Sequence, residues 1–567
     1  MHPFDVLELI YRILLFCDER TIFMVLPRVS RRWKHACSTF VCPEVGLGWL
    51  QPTTLRAVAN APGGVFESVL ARVGHVTAFN VGAEHHSVPN AIAGVLGHLG
   101  SALTKIVILG DKSGAHSPPS ATALSAHASM PNLEQLQMPV SKAGGPLSPL
   151  LSFPKLRWLC LVENEGAHPS FTDVDLTHAL GGLHALRTLI LKGFRAVTGT
   201  FASAVSRKVE RVSCRGCGIL MLGGLASSAV TRVDVQWQEL TPELVMGMMA
   251  SLPKIRILDF RATHMTDGAV RVLKRKRTAS PDSPSSSVEA LRLAYTTWNT
   301  DGVLGAVLAK TPCLRYLNLK CATVTPNGFK SICRLAAGTL EELHIRGVNV
   351  SRRAFPHVRK LAKLAVLVCD GVPDTRRTPG VAGAMSYLPR HIATLCVAHT
   401  QWMSTPTDFA PLCLLRGLTH ISFERCKQMT DECLVTVARA LVHVETVNIC
   451  WCKVTEACMG SAIALWKNLR TLHISRSAVG TGNEFRRLRE SPVQHITMHG
   501  SRGVSVAPFN NLILQTGLRT LTFNVSAVWR TELLGFESAA FGMSECEAQR
   551  HFGKNVRIKF SARVNQP

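Results

Sequence analysis

From about residue 76 to residue 530 the apolar and polar positions follow one rule, apolar-x-x-apolar-x-apolar. It stands as Leu156-Arg-Trp-Leu159-Cys-Leu161, Leu186-Arg-Thr-Leu189-Ile-Leu191, Leu314-Arg-Tyr-Leu317-Asn-Leu319 and Leu469-Arg-Thr-Leu472-His-Ile474. With Val, Ile and Phe admitted it starts 18 times between 76 and 518, about every 26 residues. Alternation at period two predicts a short strand with one buried side. A fixed period of this length predicts stacked units that share one core.

Between strands the chain has to return. In Thr430-Asp-Glu-Cys-Leu434-Val-Thr-Val437-Ala438-Arg-Ala-Leu441 the apolar residues recur at helical spacing. Thr430 suits the N-cap, and Asp431 and Glu432 suit the positive end of the helix dipole. The same opening recurs at Thr266-Asp267, Thr300-Asp301 and Thr455-Glu456, and Thr241-Pro242 and Thr325-Pro326 put Pro first in the helix. A strand and a helix per unit is an α/β architecture.

We number each unit from its first apolar residue, so apolar residues fill positions one, four and six. Position nine holds small polar side chains, among them Cys217, Gln238, Thr263, Thr296, Thr400, Cys426 and Cys452. Such groups satisfy the backbone where the chain leaves a strand. Cys214-Arg-Gly-Cys217 thus reads as a core position followed by position nine. No second Cys-x-x-Cys in the sequence completes a metal site around it.

These motifs resemble cysteine-containing leucine-rich repeats. The resemblance implies an α/β solenoid, a horseshoe whose strands line a concave binding face. Residues 2–40 do not follow the repeat. Leu7, Ile10 and Leu14 fall at helical spacing, as do Ile22, Val25, Leu26, Val29 and Trp33. The string Pro3-Phe-Asp-Val-Leu7…Val29-Ser30-Arg31-Arg32-Trp33 resembles an F-box, departing from it at His2 and Pro27. That resemblance implies a small all-α module at 1–40 that docks an SKP-type adaptor and, through it, a cullin. Its implied adaptor contacts are Pro3, Leu7, Ile10, Leu14, Val29, Arg32 and Trp33. The order of the two motifs is that of F-box/leucine-rich-repeat substrate receptors of cullin–RING ubiquitin ligases.

The expected organisation is a module at 1–40, a connector at 41–75, the repeats at 76–530 and a C-terminal cap at 531–567 ending in the strand-like Val556-Arg-Ile558-Lys-Phe560. Residues 274–287, which hold Lys274-Arg-Lys-Arg277 and two Ser-Pro pairs, are expected to be an exposed loop.

Composition narrows the function. Lys+Arg number 63 against 38 Asp+Glu, a net charge of +25. Aromatics are only 6% of the chain, so the core is expected to be aliphatic. Apolar runs such as 13–17 and 218–226 fall well short of the ~18 residues that span a bilayer, so no membrane role is expected. Asp5 and Glu8 stand where a secretory signal would be basic, which points to the cytoplasm or nucleus and to the 18 cysteines as thiols. No phosphate loop, nucleophile elbow or zinc-protease motif occurs, so a non-enzymatic subunit without cofactor or metal is expected.

The residues facing a target are those at positions three, five and seven. Position seven holds Lys192, Arg215, Gln236, Arg261, Ala294, Lys320 and Arg346, followed by Asp370, Ala398 and Glu424. Arg211, Arg232, Arg292 and His344 flank it, with Trp158 and Tyr316 as exposed aromatics. A basic stripe without matching acids predicts an acidic or phosphorylated protein target. Nucleic acid is drawn by the same field, so a basic repeat scaffold that binds RNA is the alternative.

Overall fold

The computed structural model describes residues 45–46, 78–81, 103–109, 130–141, 145–163, 170–265 (save 228 and 241), 287–298, 301–348, 350, 354–370, 385–399, 406–474, 491–499, 520–524 and 557–560. The expected adaptor contacts Pro3, Leu7, Ile10, Leu14, Val29, Arg32 and Trp33 lie outside these, as do residues 274–286. The chain divides into two compact units near residues 272–289.

The first unit carries β1 (Val45–Gly46), β2 (Ala78–Val81), β3 (Lys105–Ile108), β4 (Gln135–Val140), β5 (Trp158–Glu163), β6 (Thr188–Lys192), β7 (Arg211–Arg215), β8 (Arg232–Gln236), β9 (Glu239–Leu240), β10 (Ile257–Asp259) and β11 (His264–Met265). β1 to β8 pair in succession, all parallel, and β10 follows β8. β9 and β11 pair separately. β1 lies inside the stretch expected to be connector.

The second unit carries β12 (Ala290–Arg292), β13 (Thr297–Trp298), β14 (Tyr316–Asn318), β15 (Glu342–His344), β16 (Val366–Val368), β17 (Thr394–Cys396), β18 (His420–Ser422), β19 (Thr446–Asn448), β20 (Thr471–His473), β21 (His495–His499), β22 (Thr520–Asn524) and β23 (Arg557–Phe560). β12 pairs with β14, and β14 to β23 continue the parallel ladder in order. The register is constant: position four of one unit faces position four of the next, as Leu317 faces Leu343 and Leu343 faces Leu367.

This order follows from burial. In the unit starting at 209, Val209, Val212 and Cys214 are fully buried. Equal spacing lets each such set stack on the next. The expectation of an aliphatic core is corrected by rings in the returns and, at Phe260 and Phe423, at position six itself. The largest fully buried side chains include Phe153, Phe171, Phe194, Phe201 and Phe260 in the first unit, and Phe329, Phe409, Phe423 and Trp466 in the second. A ring fills the wider space behind the strand where one aliphatic side chain cannot reach, and Phe171–Phe194 and Phe409–Phe423 meet at 6.0 and 5.7 Å.

The return segments also correct the expectation of a helix in every unit. Longer units return through α1 (Asp173–Leu180), α2 (Pro242–Ser251), α3 (Asp301–Ala309), α4 (Pro326–Leu335), α6 (Asp431–Ala440) and α7 (Glu456–Leu465), while α5 (Pro406–Phe409) is one turn. 3₁₀ turns serve shorter units at Ser148–Ser152, Thr200–Ala204, Gly223–Ser227 and Phe355–Lys360, and another, Ala410–Leu414, follows α5. A 3₁₀ helix rises ~2.0 Å per residue against ~1.5 Å for an α-helix. Fewer residues therefore cover the same return distance.

The capping grammar is realised and extended. Thr325, Thr430 and Thr455 are N-caps whose hydroxyls accept from amides of the first turn. The Asp that opens one helix also holds the turn that opens the next unit. Asp431 accepts from the Thr455 amide at 2.7 Å and hydroxyl at 2.6 Å, and Asp301 accepts from the same two groups of Thr325. Asp173 accepts from Thr198 N, Thr198 Oγ1, Gly199 N and Phe201 N. Burial raises the pKa of the Asp173 carboxyl, but these hydrogen bonds outweigh it, and the net shift is downward.

Candidate functional site

The strand order puts positions three, five and seven on the open face of each ladder, away from the helical returns. In the first unit position five is buried from β5 onward: Cys160 is 1% exposed, and Ser213, Asp234 and Asp259 are fully covered. A short side chain in mid-strand is walled in by the long ones at positions three and seven.

Two of these buried residues are acids, and they correct the expectation of a stripe without matching acids. Arg211 reaches Asp234 Oδ2 at 2.6 and 3.1 Å, and Arg232 Nε reaches its Oδ1 at 2.8 Å. Arg261 holds Asp259 through Nε and Nη2, at 2.8 to 3.0 Å. Three of the expected target contacts are thus committed to internal carboxylates. Their fixed guanidiniums still border the face, with side chains 33%, 24% and 41% exposed. Register joins these groups, because Arg211 faces Arg232 and Asp234 faces Asp259.

Lys192 and Arg215 differ. They face each other on β6 and β7, and Arg215 faces Gln236 on β8. Both bring positive charge to the Cys160 thiol, whose pKa burial nevertheless pushes up. Arg215 Nε, Gln236 Nε2 and Ser213 Oγ are covered and have no hydrogen-bond partner. An orphaned buried polar group costs about 1–3 kcal/mol, so three together on two adjacent strands call for an explanation.

In the second unit the predicted residues form an aromatic and cationic cluster. Arg292 lies over the Tyr316 ring at 5.6 Å, and Tyr316 lies 5.3 Å from the His344 ring. His344 Nε2 meets Glu342 Oε1 at 2.6 Å, and Lys320 sits 5.0 Å over Tyr295. Arg346 is exposed. It is among the positive charges that oppose the upward, burial-driven shift of the Asp370 carboxyl. Trp158 and Tyr316, expected to be exposed, are half-buried.

Among the described residues the most exposed aromatics sit one residue further on, at position eight, and sequence reasoning missed them. There Trp237, Tyr295 and Trp451 are 70%, 49% and 37% exposed. Position eight is left-handed at these three, with φ of 59°, 60° and 62°, and at Ala262, Cys321, His399 and Arg425, while Val140 and Glu163 in the same column are the last residues of strands. Arg425 lies 4.8 Å over Trp451. The available signal was glycine in the same column, at Gly193, Gly216 and Gly347.

Position nine performs its expected task. Thr263 and Thr296 hydroxyls donate to the carbonyls of Phe260 and Leu293 at 2.7 Å, and the thiols of Cys426 and Cys452 donate to those of Val397 and Phe423 at 3.1 Å. Cys214 is fully buried and the Cys217 thiol donates to backbone carbonyls, as read from the sequence. Among the described residues no group of three His, Cys, Asp or Glu is placed to hold a metal, and no helix is long and apolar enough to cross a membrane.

No protein-family model and no curated protein matches the chain. Among solved structures, an internalin from Listeria monocytogenes is 13% identical and has a TM-score of 0.38, the match covering 61% of this chain and 87% of that one. A leucine-rich-repeat protein from Leptospira interrogans is also 13% identical with a TM-score of 0.38, covering 82% and 98%. The assignment of the fold rests on the ladder itself. Parallel strands at a fixed period, with returns on one side and apolar residues at positions one, four and six, are a leucine-rich-repeat fold.

Proposed function

We propose that the chain is a target-binding subunit of a cullin–RING ubiquitin ligase, with residues 1–40 docking an SKP-type adaptor and the repeats holding an acidic or phosphorylated protein. The adaptor half rests on the F-box-like string from Pro3 to Trp33. The observation that carries the target half is the open face of the first unit, where fixed arginines border Lys192 and Arg215. The subunit itself performs no chemistry. It raises the effective concentration of the target beside the ubiquitin-carrying enzyme. The test is capture of adaptor and cullin from cells by the full chain and by a chain lacking residues 1–40. The full chain is expected to retain both and the truncated chain neither.

The second reading, an RNA-binding scaffold without a ubiquitin link, gains from one observation. Exposed Tyr295 and Trp451 each carry a cation against the ring, and single-stranded nucleic acid stacks on such platforms. Crosslinking to RNA in cells tests it, with Tyr295→Ala and Trp451→Ala expected to reduce the crosslinked fraction.

A further inference from the structure

We propose that Lys192, Arg215, Gln236 and Ser213 form an oxyanion subsite on the open face of the first unit, and that it takes the phosphate monoester of a phosphorylated side chain. This rests on the reading of that face as the target surface and names the group recognised there.

Lys192, Arg215 and Gln236 occupy position seven of three consecutive parallel strands and face one another in turn. Strand spacing is ~4.8 Å, so the three Cα atoms lie within roughly 10 Å. Ser213 sits two residues before Arg215 on the same side of β7. Ser213 and Gln236 are 0% and 4% exposed. Their Oγ and Nε2, with Arg215 Nε, have no acceptor in the folded chain. Orphaned acceptors would fit a cation or an amine. Here the two nitrogens are obligate donors and the hydroxyl donates freely, beside two cations, which specifies an oxygen-rich anion.

The neighbouring charges agree. Asp234 is occupied by Arg211 and Arg232, and Asp259 by Arg261. Glu163, buried at the end of β5, accepts from the Phe171 amide through Oε1, and its covered Oε2 is a negative oxygen that counts against an anion on this side. Lys192 and Arg215 remain outside these ion pairs, and both bring positive charge to the Cys160 thiol, to which Lys192 also hydrogen-bonds. A phosphate monoester carries about −1.5 to −2 charge and three acceptor oxygens, enough to meet the donors of Arg215, Gln236 and Ser213 with Lys192 alongside. A carboxylate has two oxygens and one charge, and a phosphodiester has one charge and two bulky arms that must enter a covered site.

The experiment is calorimetric titration of the full-length chain with inorganic phosphate, sulfate, chloride, O-phosphoserine, serine and polyuridine at matched ionic strength. Saturable binding is expected for phosphate and O-phosphoserine, tighter for the latter, and none for serine. Arg215→Gln is expected to weaken both at least tenfold. Gln236→Met keeps the shape and removes the donor. It is expected to weaken binding at least threefold while leaving the melting temperature without ligand unchanged or higher, which a merely structural glutamine would not do. Phosphate binding no better than sulfate or chloride, equal affinity in wild type and both variants, or polyuridine preferred over O-phosphoserine would each overturn the proposal. Adaptor capture by the same variants separates the outcomes: the subsite can fail while adaptor capture persists, and the ligase reading can fail while phosphate still binds.

Discussion

Asp234 sets the electrostatics of the open face at the scale of one residue. Its carboxylate is covered and shared by Arg211 and Arg232. Asp234→Ala leaves two guanidiniums without their acid. Because both reach solvent, the expected cost is about 1–3 kcal/mol rather than the larger value for a fully buried pair. Urea unfolding measures it, and an unchanged midpoint would show that the triad is not a stabilising contact. Position eight offers a second residue-scale comparison. Gly193 has φ 82°, and an added Cβ would stand 2.8 Å from the Glu163 carbonyl oxygen, whereas Gly216 has φ 61° and open space. Gly216→Ala is expected to cost about 1–2 kcal/mol from the left-handed backbone alone. Gly193→Ala should cost more, and equal losses in thermal melts would refute the clash. The sequence displayed these glycines, but which of them is obligatory depends on what the neighbouring strand puts beside it.

At the scale of the element, the repeat strands were legible, whereas β1, β9, β11 and β13 and the side-chain partners across strands were not. Each of the 18 starts is followed two residues later by a strand, because burial on one side at period two dictates both the element and its register. The pairing of Arg211 with Asp234 was invisible because those residues are 23 apart and meet only through register. The links between helical starts were half visible: the Thr-Asp pairs stood in the sequence, but not the reach of each Asp to the next unit. Asp173 gives this a pH signature. Its folded pKa lies below the ordinary 3.8, so its contribution is fully present above the unfolded value near 4. That contribution fades as pH falls through the folded value. Wild type is expected to melt above Asp173→Asn at pH 7, with the gap closing as pH falls below the unfolded value. A gap independent of pH would mean the carboxylate charge is not what matters. Ser287, the last residue of the expected 274–287 loop, donates its hydroxyl to the Pro253 and Ile255 carbonyls at 2.8 Å. Replacing 274–286 with a short Gly/Ser linker is expected to leave the melting temperature almost unchanged, while Ser287→Ala lowers stability by about 1 kcal/mol.

At the scale of the whole molecule, a net charge of +25 makes attraction of anionic partners a general property, so specificity must come from arrangement. The buried Asp234 and Asp259 reduce the free charge of the stripe and fix three arginines in place, leaving Lys192 and Arg215 to meet a partner. The measurement closest to the central claim is a parallel affinity purification with mass spectrometry of three chains: the full chain, the chain lacking residues 1–40, and the full chain with Lys192, Arg215, Lys320 and Arg346 reversed to Glu. Arg261 is left intact because its loss would strand Asp259. The full chain is expected to bring down adaptor, cullin and target. The truncated chain should lose adaptor and cullin and keep target, and the reversed chain should lose target and keep adaptor and cullin. Adaptor retained without residues 1–40, or target retained by the reversed chain, would contradict the account.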